Sequence, residues 1–424
     1  MLDRTMPPSS QEIRKLEIKK VEKQTIGNLP IYFLKAGKQP IIRLEFIYKA
    51  GSWYENKVGL SYLAAKMLSE GTLSFSANHI AEKIASLGAF IEVHHGYDLT
   101  NVTFFLLEKH LETLFPLIQE ILFMPSFPEN ELNNLKTITC QNIKVNKEKG
   151  QFLSSVELRK SLYGTDHPYG SQYWEEDIEK ITREEILAYY KQFFTISNLE
   201  VFVSGQFDSE NMAAMLSAYL DTAHTCVNSA SPKFTLNTAV SQSVLIERPS
   251  NLQSSLKMGR HTISRQHADF PSLLVLNELL GGFFGSRLMK NIREDKGFTY
   301  GIHSSVIAML NGAYLVISTD VKKENTNQTV EEVWKEMNRL ISETVSEEEL
   351  STVRSYMLGK FINSINTPFA LMDKFKTIHF GGLDYGYFDR YIEQVKELQA
   401  DKIQNLASLL FREDEFCQIV VGGI

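Results

Sequence analysis

Ten histidines are the sequence's main supply of metal ligands: His79, His94, His95, His110, His167, His224, His261, His267, His303 and His379. No two stand three or four apart, so no helix presents a pair of imidazoles on one face. His94 and His95 are adjacent; in an extended segment they point to opposite sides and read as strand-end polar residues. Cys140, Cys226 and Cys417 are far apart, form no C-x-x-C pair and read as reduced packing residues. The Gly281-Gly282-Phe283-Phe284-Gly285 run lacks the Gly-Lys-Ser/Thr that completes a phosphate loop, so it reads as a helix end and tight turn. No Gly-x-Ser-x-Gly elbow offers a nucleophile. By residue type alone Arg293 and Tyr300 are a surface-helix arginine and a strand tyrosine.

The elements that would position these groups follow from periodicity. In Gly59 to Thr72, Leu60, Leu63, Ala64, Met67 and Leu68 recur at three and four, which predicts a buried helix face closed by Gly71 as a left-handed cap. Leu29–Leu34 and Ile41–Tyr48 read as strands that pair around Gly37 after a polar leader. Further strands are expected at Ala89–Val93, Thr100–Leu107 and Leu199–Gly205, and helices at Ile80–Gly88, His110–Phe123 and from Pro128. Thr182 to Glu185 is a capping box. Thr222 to Lys233 is small, polar and unpatterned, a linker.

Beyond the linker the order of elements starts again. Phe127-Pro128-Glu129-Asn130-Glu131-Leu132 matches Val345-Ser346-Glu347-Glu348-Glu349-Leu350, Gly88-Ala89-Phe90-Ile91 matches Gly297-Phe298-Thr299-Tyr300, and Val203-Ser204-Gly205 matches Val421-Gly422-Gly423. Three matches in one order at nearly one offset indicate duplication. The expectation is an α/β (α+β) chain of two tandem homologous domains, 1–221 and 236–424, joined by a 222–235 linker. Each would hold a mixed, mainly antiparallel sheet with helices packed on one face.

Composition is that of a soluble globular protein, 43% hydrophobic and 22% charged. A net charge of −7 and a pI near 5.9 argue against nucleic acid or an anionic membrane as partner. No run approaches the roughly 18 uncharged apolar residues of a span; the nearest, Phe270–Leu280, contains Glu278. The first ten residues lack an apolar signal core, so a cytoplasmic location is expected.

The Gly59–Thr72 segment, with its Gly-Leu start and Met-Leu-x-x-Gly-Thr end, resembles the active-site helix of the pitrilysin/insulinase zinc peptidases, the inverzincins. His167-Pro168-Tyr169-Gly170 and the block from Leu279 to Tyr300 resemble further landmarks of that family, and the resemblance covers nearly the whole chain. The family carries H-x-x-E-H on this helix, two zinc ligands and a general base, with a glutamate downstream as third ligand. In that register Tyr62 and Lys66 stand where the histidines belong, Ala65 where the base belongs and Asn142 where the glutamate belongs. No metal is therefore expected in this chain. Lys66 reads as a snorkelling lysine, or as an ammonium paired with an acid in the vacated site.

Bacterial two-chain members of the family place an arginine and a tyrosine, spaced like Arg293 and Tyr300, on the chain that lacks zinc. The resemblance thus implies a non-catalytic subunit that lends these residues to a homologous zinc-bearing partner in a heterodimer, or a homodimer in its absence. Its isolated chain would hydrolyse nothing; the complex would cleave unstructured peptides. Asp98, Leu99, Thr100 and Asn101 fall where the resemblance implies a strand edge that pairs with extended substrate. The alternative is a proteolytically inactive peptide-binding or structural protein, like the core subunits of respiratory complexes.

Overall fold

The computed structural model describes residues 18–220, 232–235 and 241–423. The expected domain boundaries and most of the linker lie outside the described residues. The strands are β1 Glu22–Ile26, β2 Leu29–Lys35, β3 Ile41–Tyr48, β4 Phe90–His95, β5 Thr100–Leu107, β6 Leu199–Gly205, β7 Gln242–Glu247, β8 Gln253–His261, β9 Ile302–Met309, β10 Gly312–Lys322 and β11 Cys417–Gly422. They form two sheets, ordered β1-β2-β6-β3-β5-β4 and β7-β11-β8-β10-β9.

Without β1, the orders are identical once β2, β6, β3, β5 and β4 are set against β7, β11, β8, β10 and β9. The senses agree too: β2–β6 and β7–β11 are parallel, and the other pairs are antiparallel. Gly88 and Gly297 both take left-handed φ, 64° and 65°, before the edge strands. One match shifts by a residue. Gly205 at φ 125° corresponds to Gly422 at φ 142°, not to Gly423; each presses against the neighbouring strand where a Cβ would collide.

Two expectations about strands need correction. β2 and β3 do not pair around Gly37, because β6 lies between them. The leader also contains a strand: β1 pairs with β2 across a Gly27–Asn28 turn. Its side chains are nearly all exposed, so it carries no apolar alternation.

In the first half, the Leu60–Lys66, Leu111–Phe123 and Glu129–Lys147 helices cover one sheet face, around Phe33, Phe46, Phe104 and Ile121. The second half repeats this around Met258, Leu276, Val333 and Leu350. The opposite faces are covered by exchange. The Gly150–Tyr163 helix of the first half lays Leu158 and Leu162 on Ile419 and Val421 of β11. The Pro368–Phe380 helix of the second half lays Met372 and Phe375 on Tyr32, Leu34 and Phe202. Each buried side chain of this size contributes about 1.5–3 kcal/mol, so the exchange binds the halves firmly.

A buried ion cluster lies under the second of these helices. Arg43 reaches Glu45 at 3.0 Å and Asp373 at 2.9 Å, while Lys376 reaches Glu45 at 2.5 Å and Asp373 at 2.9 Å. Two cations and two anions balance, so neither β3 charge is buried alone.

Candidate functional site

The Gly59–Thr72 helix forms as the spacing predicts. Leu60, Leu63, Ala64, Met67 and Leu68 are all buried. The α-helix ends at Lys66 and tightens into a 3₁₀ turn over Met67–Ser69. Gly71 lies beyond that turn at φ 145° and is no left-handed cap.

The start of this helix is held by a residue the sequence reading passed over. Gly59 supplies no capping side chain. Glu55 instead reaches back, accepting from the amides of Gly59 at 3.2 Å and Ser61 at 2.9 Å, and from the Ser61 hydroxyl at 2.6 Å. These amides are the unsatisfied donors of a helix N-terminus, where a carboxylate is favoured. The Ser61 Oγ lies 2.7 Å from His95 Nε2. With the hydroxyl proton directed at Glu55, His95 donates its Nε2–H to Ser61. Burial pushes the Glu55 carboxyl up to about 6. Burial, with His94 and Lys66 nearby, holds the His95 imidazole down at about 4. Ser61 is fully buried and cannot meet a substrate. The network is a clamp on the helix. Only the adjacent His94-His95 pair hinted at it, and strand-end polarity understates the role of His95.

The four positions of the lost zinc motif are each occupied by something that excludes the metal. Tyr62 stacks on Tyr173 at 5.1 Å and sets its ring edge-on to His95 at 5.8 Å. Ala65 is fully buried. Asn142 projects from the exposed face of the Glu129–Lys147 helix. Lys66 donates from Nζ to the Val93 carbonyl at 2.5 Å, and burial lowers its pKa. A phenol, a methyl, an amide and an ammonium provide neither the imidazoles nor the carboxylates that zinc requires. Among the described residues no three His, Cys, Asp or Glu side chains gather to hold an ion.

Lys66 finds a carbonyl where an acid was one expectation, and the place of that carbonyl matters. Gly96 N donates to Leu99 O at 2.9 Å, so counting back along the register, His94–Asn101 and Glu92–Thr103 are the hydrogen-bonded pairs and Val93–Val102 is not. The Val93 N–H and C=O therefore point away from β5. β4 has no strand on that side. Lys66 thus occupies a hydrogen-bonding position on the open edge of the sheet, a common device for blunting edges.

This geometry also corrects the expected edge. The edge strand is β4, and Asp98 to Asn101 lie elsewhere. Asp98 and Leu99 belong to the turn between β4 and β5; Thr100 and Asn101 begin β5, which is paired on both sides. Asp98 accepts from Tyr169 Oη at 2.7 Å and Asn311 Nδ2 at 3.0 Å, linking the two halves. Thr100 is buried and bonds the Ala50 carbonyl at 2.6 Å. The resemblance implies an edge at Asp98 to Asn101, but β4 runs on to His95 and leaves these four residues in the turn and in a strand paired on both sides.

Arg293 and Tyr300 lie in the second half. One π-helical turn, Glu278–Gly282, contains the first two glycines of the run, and a second, Met289–Asp295, follows it; such turns recur at functional sites. The glycines serve close approach, since a Cβ on Gly281 would stand 2.8 Å from Ser304 N on β9. Arg293 lies on the second π turn with its guanidinium 4.6 Å from the centre of the Phe284 ring. Tyr300 stands just before β9 and is 94% exposed. It forms no hydrogen bond among the described residues. A tyrosine placed for packing would bury its ring; this one is offered to solvent.

Comparison with known proteins agrees with this geometry. Residues 36–166 match the family model described as Insulinase (Peptidase family M16), and residues 180–357 match the model described as Peptidase M16 inactive domain. The chain belongs to the insulinase (M16) peptidase family. With the motif positions filled as they are, it is an inactive homologue within that family. It is 22% identical over 361 residues to the "Uncharacterized zinc protease YmxG" of Bacillus subtilis, covering 84% of this chain and 86% of the relative. It is 22% identical over 357 residues to the "Non-peptidase homolog YmxG" of Helicobacter pylori, covering 83% and 81%. A crystal structure of a peptidase M16 inactive domain from Pseudomonas fluorescens superposes with a TM-score of 0.86 at 24% identity, covering 96% of this chain and 99% of that one. Among the described residues no helix is long and apolar enough to cross a membrane.

Proposed function

We propose that this M16 homologue is the non-catalytic half of a heterodimeric zinc peptidase and lends Arg293 and Tyr300 to a partner that carries H-x-x-E-H and the metal. The observation that carries the reading is the exposure of Tyr300 without a hydrogen-bond partner among the described residues, two residues before β9, with Arg293 fixed on Phe284 nearby in sequence. An exposed phenol is free to donate to a carbonyl oxygen of a substrate held by another chain as that oxygen gains charge, and a guanidinium held on an aromatic ring is already oriented for a substrate carbonyl. The state of this chain's own edge supports the same division of labour. With Lys66 on the Val93 carbonyl, an extended peptide is better received by the partner's edge strand than by β4.

The test is reconstitution. This chain, mixed with a homologous zinc-bearing chain, should yield a peptidase activity on unstructured peptides that neither shows at full strength alone. A partner that is fully active alone and gains nothing on mixing would overturn the proposal and leave a structural role.

A further inference from the structure

A cavity of about 280 Å³ lies within the second half between the Phe270–Asn277, Glu347–Asn363, Pro368–Phe380 and Gly386–Glu397 helices. Three cations from three segments line it: Arg265, Lys360 and Lys374. One carboxylate answers them, Glu278, which pairs with Lys360 at 3.1 Å. Arg265 and Lys374 form no ion pair among the described residues. Arg265 rests over the Phe270 ring at 5.3 Å, with Tyr387 nearby in the same lining. Lys374 has its Nζ 5.5 Å from the centre of the Phe361 ring. Its neighbour Asp373 is already committed to Arg43 and Lys376, each at 2.9 Å. Burial lowers the Lys374 pKa, and the positive charges of Arg265 and Lys360 add to that.

The cavity is thus lined by three positive charges and one negative. Lys360 is exposed while Arg265 and Lys374 are half-buried, so solvent only partly screens the repulsion that Arg265 and Lys360 exert on Lys374. A bound dianion would relieve that repulsion. Donors that approach from a turn and two helices suit a tetrahedral oxyanion, and guanidinium and ammonium groups are its usual partners. Apart from Ser364 and Thr377 the remaining walls are apolar or aromatic, with Met357, Phe388 and Tyr391 among them, so the site also has room for an apolar body. We propose that this cavity binds the phosphate group of a small phosphomonoester, with Arg265, Lys360 and Lys374 as the anion-holding residues. The site is separate from Arg293 and Tyr300.

The experiment is calorimetric titration of the full chain with phenyl phosphate, inorganic phosphate and phenol at constant ionic strength. Phenyl phosphate should bind more tightly than inorganic phosphate, and phenol should not bind. Lys374→Met and Arg265→Gln should each weaken phenyl phosphate by about tenfold or more, the loss expected for one charge-assisted contact. Without ligand, Lys374→Met should melt at a higher temperature than wild type, because a repulsive charge is gone. Absence of phosphate or phenyl phosphate binding by the wild-type chain would overturn the proposal, as would variants that bind like wild type. A Lys374→Met chain that melts lower without ligand would also overturn it, since the lysine would then be serving packing.

Discussion

The two halves share one topology, yet they treat their chemical residues in opposite ways. In the first half the former motif positions on the Leu60–Lys66 helix are turned inward, with Tyr62 stacked on Tyr173 and Lys66 on a strand carbonyl, and beside them Glu55 and His95 both bond Ser61. In the second half Tyr300 is almost fully exposed and Arg293 is held on a ring. A site whose polar groups are satisfied internally contributes to stability; one whose groups are left open can act only on another molecule. Variants in the first half should therefore change stability and pH dependence, and variants in the second should change the activity of a complex.

The largest effect is expected at Tyr300. In the reconstituted peptidase, Tyr300→Phe should lower kcat by roughly 10²–10³, about 2.7–4 kcal/mol, the usual loss for one oxyanion donor, with the melting temperature of this chain unchanged. Arg293→Ala should raise KM as well, because a carbonyl is held in the ground state too. Steady-state kinetics on the mixture decide this. A Tyr300→Phe complex within about a factor of two of wild type would mean the second half is no more chemical than the first.

The next effects belong to the clamp. The folded pKa of His95 is depressed from 6.5 to about 4, so its contribution is present above 6.5 and lost as pH falls through 4. That is about 3 kcal/mol by linkage. His95→Gln removes the loss, so relative to wild type the variant should gain stability on going from pH 7 to pH 4. For Glu55 the sign is opposite. Its folded pKa is raised from 4.5 to about 6, so its contribution is present below 4.5 and lost as pH rises through 6, about 2 kcal/mol. Glu55→Gln should lose stability relative to wild type over the same descent. Urea denaturation at pH 4, 5.5 and 7 separates the two, and variants that track wild type at every pH would show that the clamp does not titrate with the fold.

Lys66→Met should have the smallest effect on stability, about 1 kcal/mol or less, since a charge-assisted hydrogen bond is lost along with the desolvation of an ammonium. It opens the β4 edge, however. An extended peptide should then bind the isolated chain more tightly than it binds wild type, by fluorescence anisotropy. Unchanged binding would mean that Lys66 does not guard the edge.

The sequence by itself determined the duplicated α/β architecture, the buried face of the Gly59–Thr72 helix and the loss of the zinc ligands. Each of these is written in local spacing: apolar residues at three and four, the same motifs twice in one order, and side chains unable to bind a metal. The family followed from motif blocks of the same local kind. Tertiary structure decided what spacing cannot encode. β6 separates β2 from β3 although 150 residues of chain lie between β3 and β6, and the open edge falls on β4 and not on Asp98 to Asn101. The exposure of Tyr300, the carbonyl found by Lys66 and the gathering of Glu55, Ser61 and His95 depend on which faces meet after folding. Burial and hydrogen-bond partners are properties of that meeting, so the same phenol could have been core or site, and only packing made the choice.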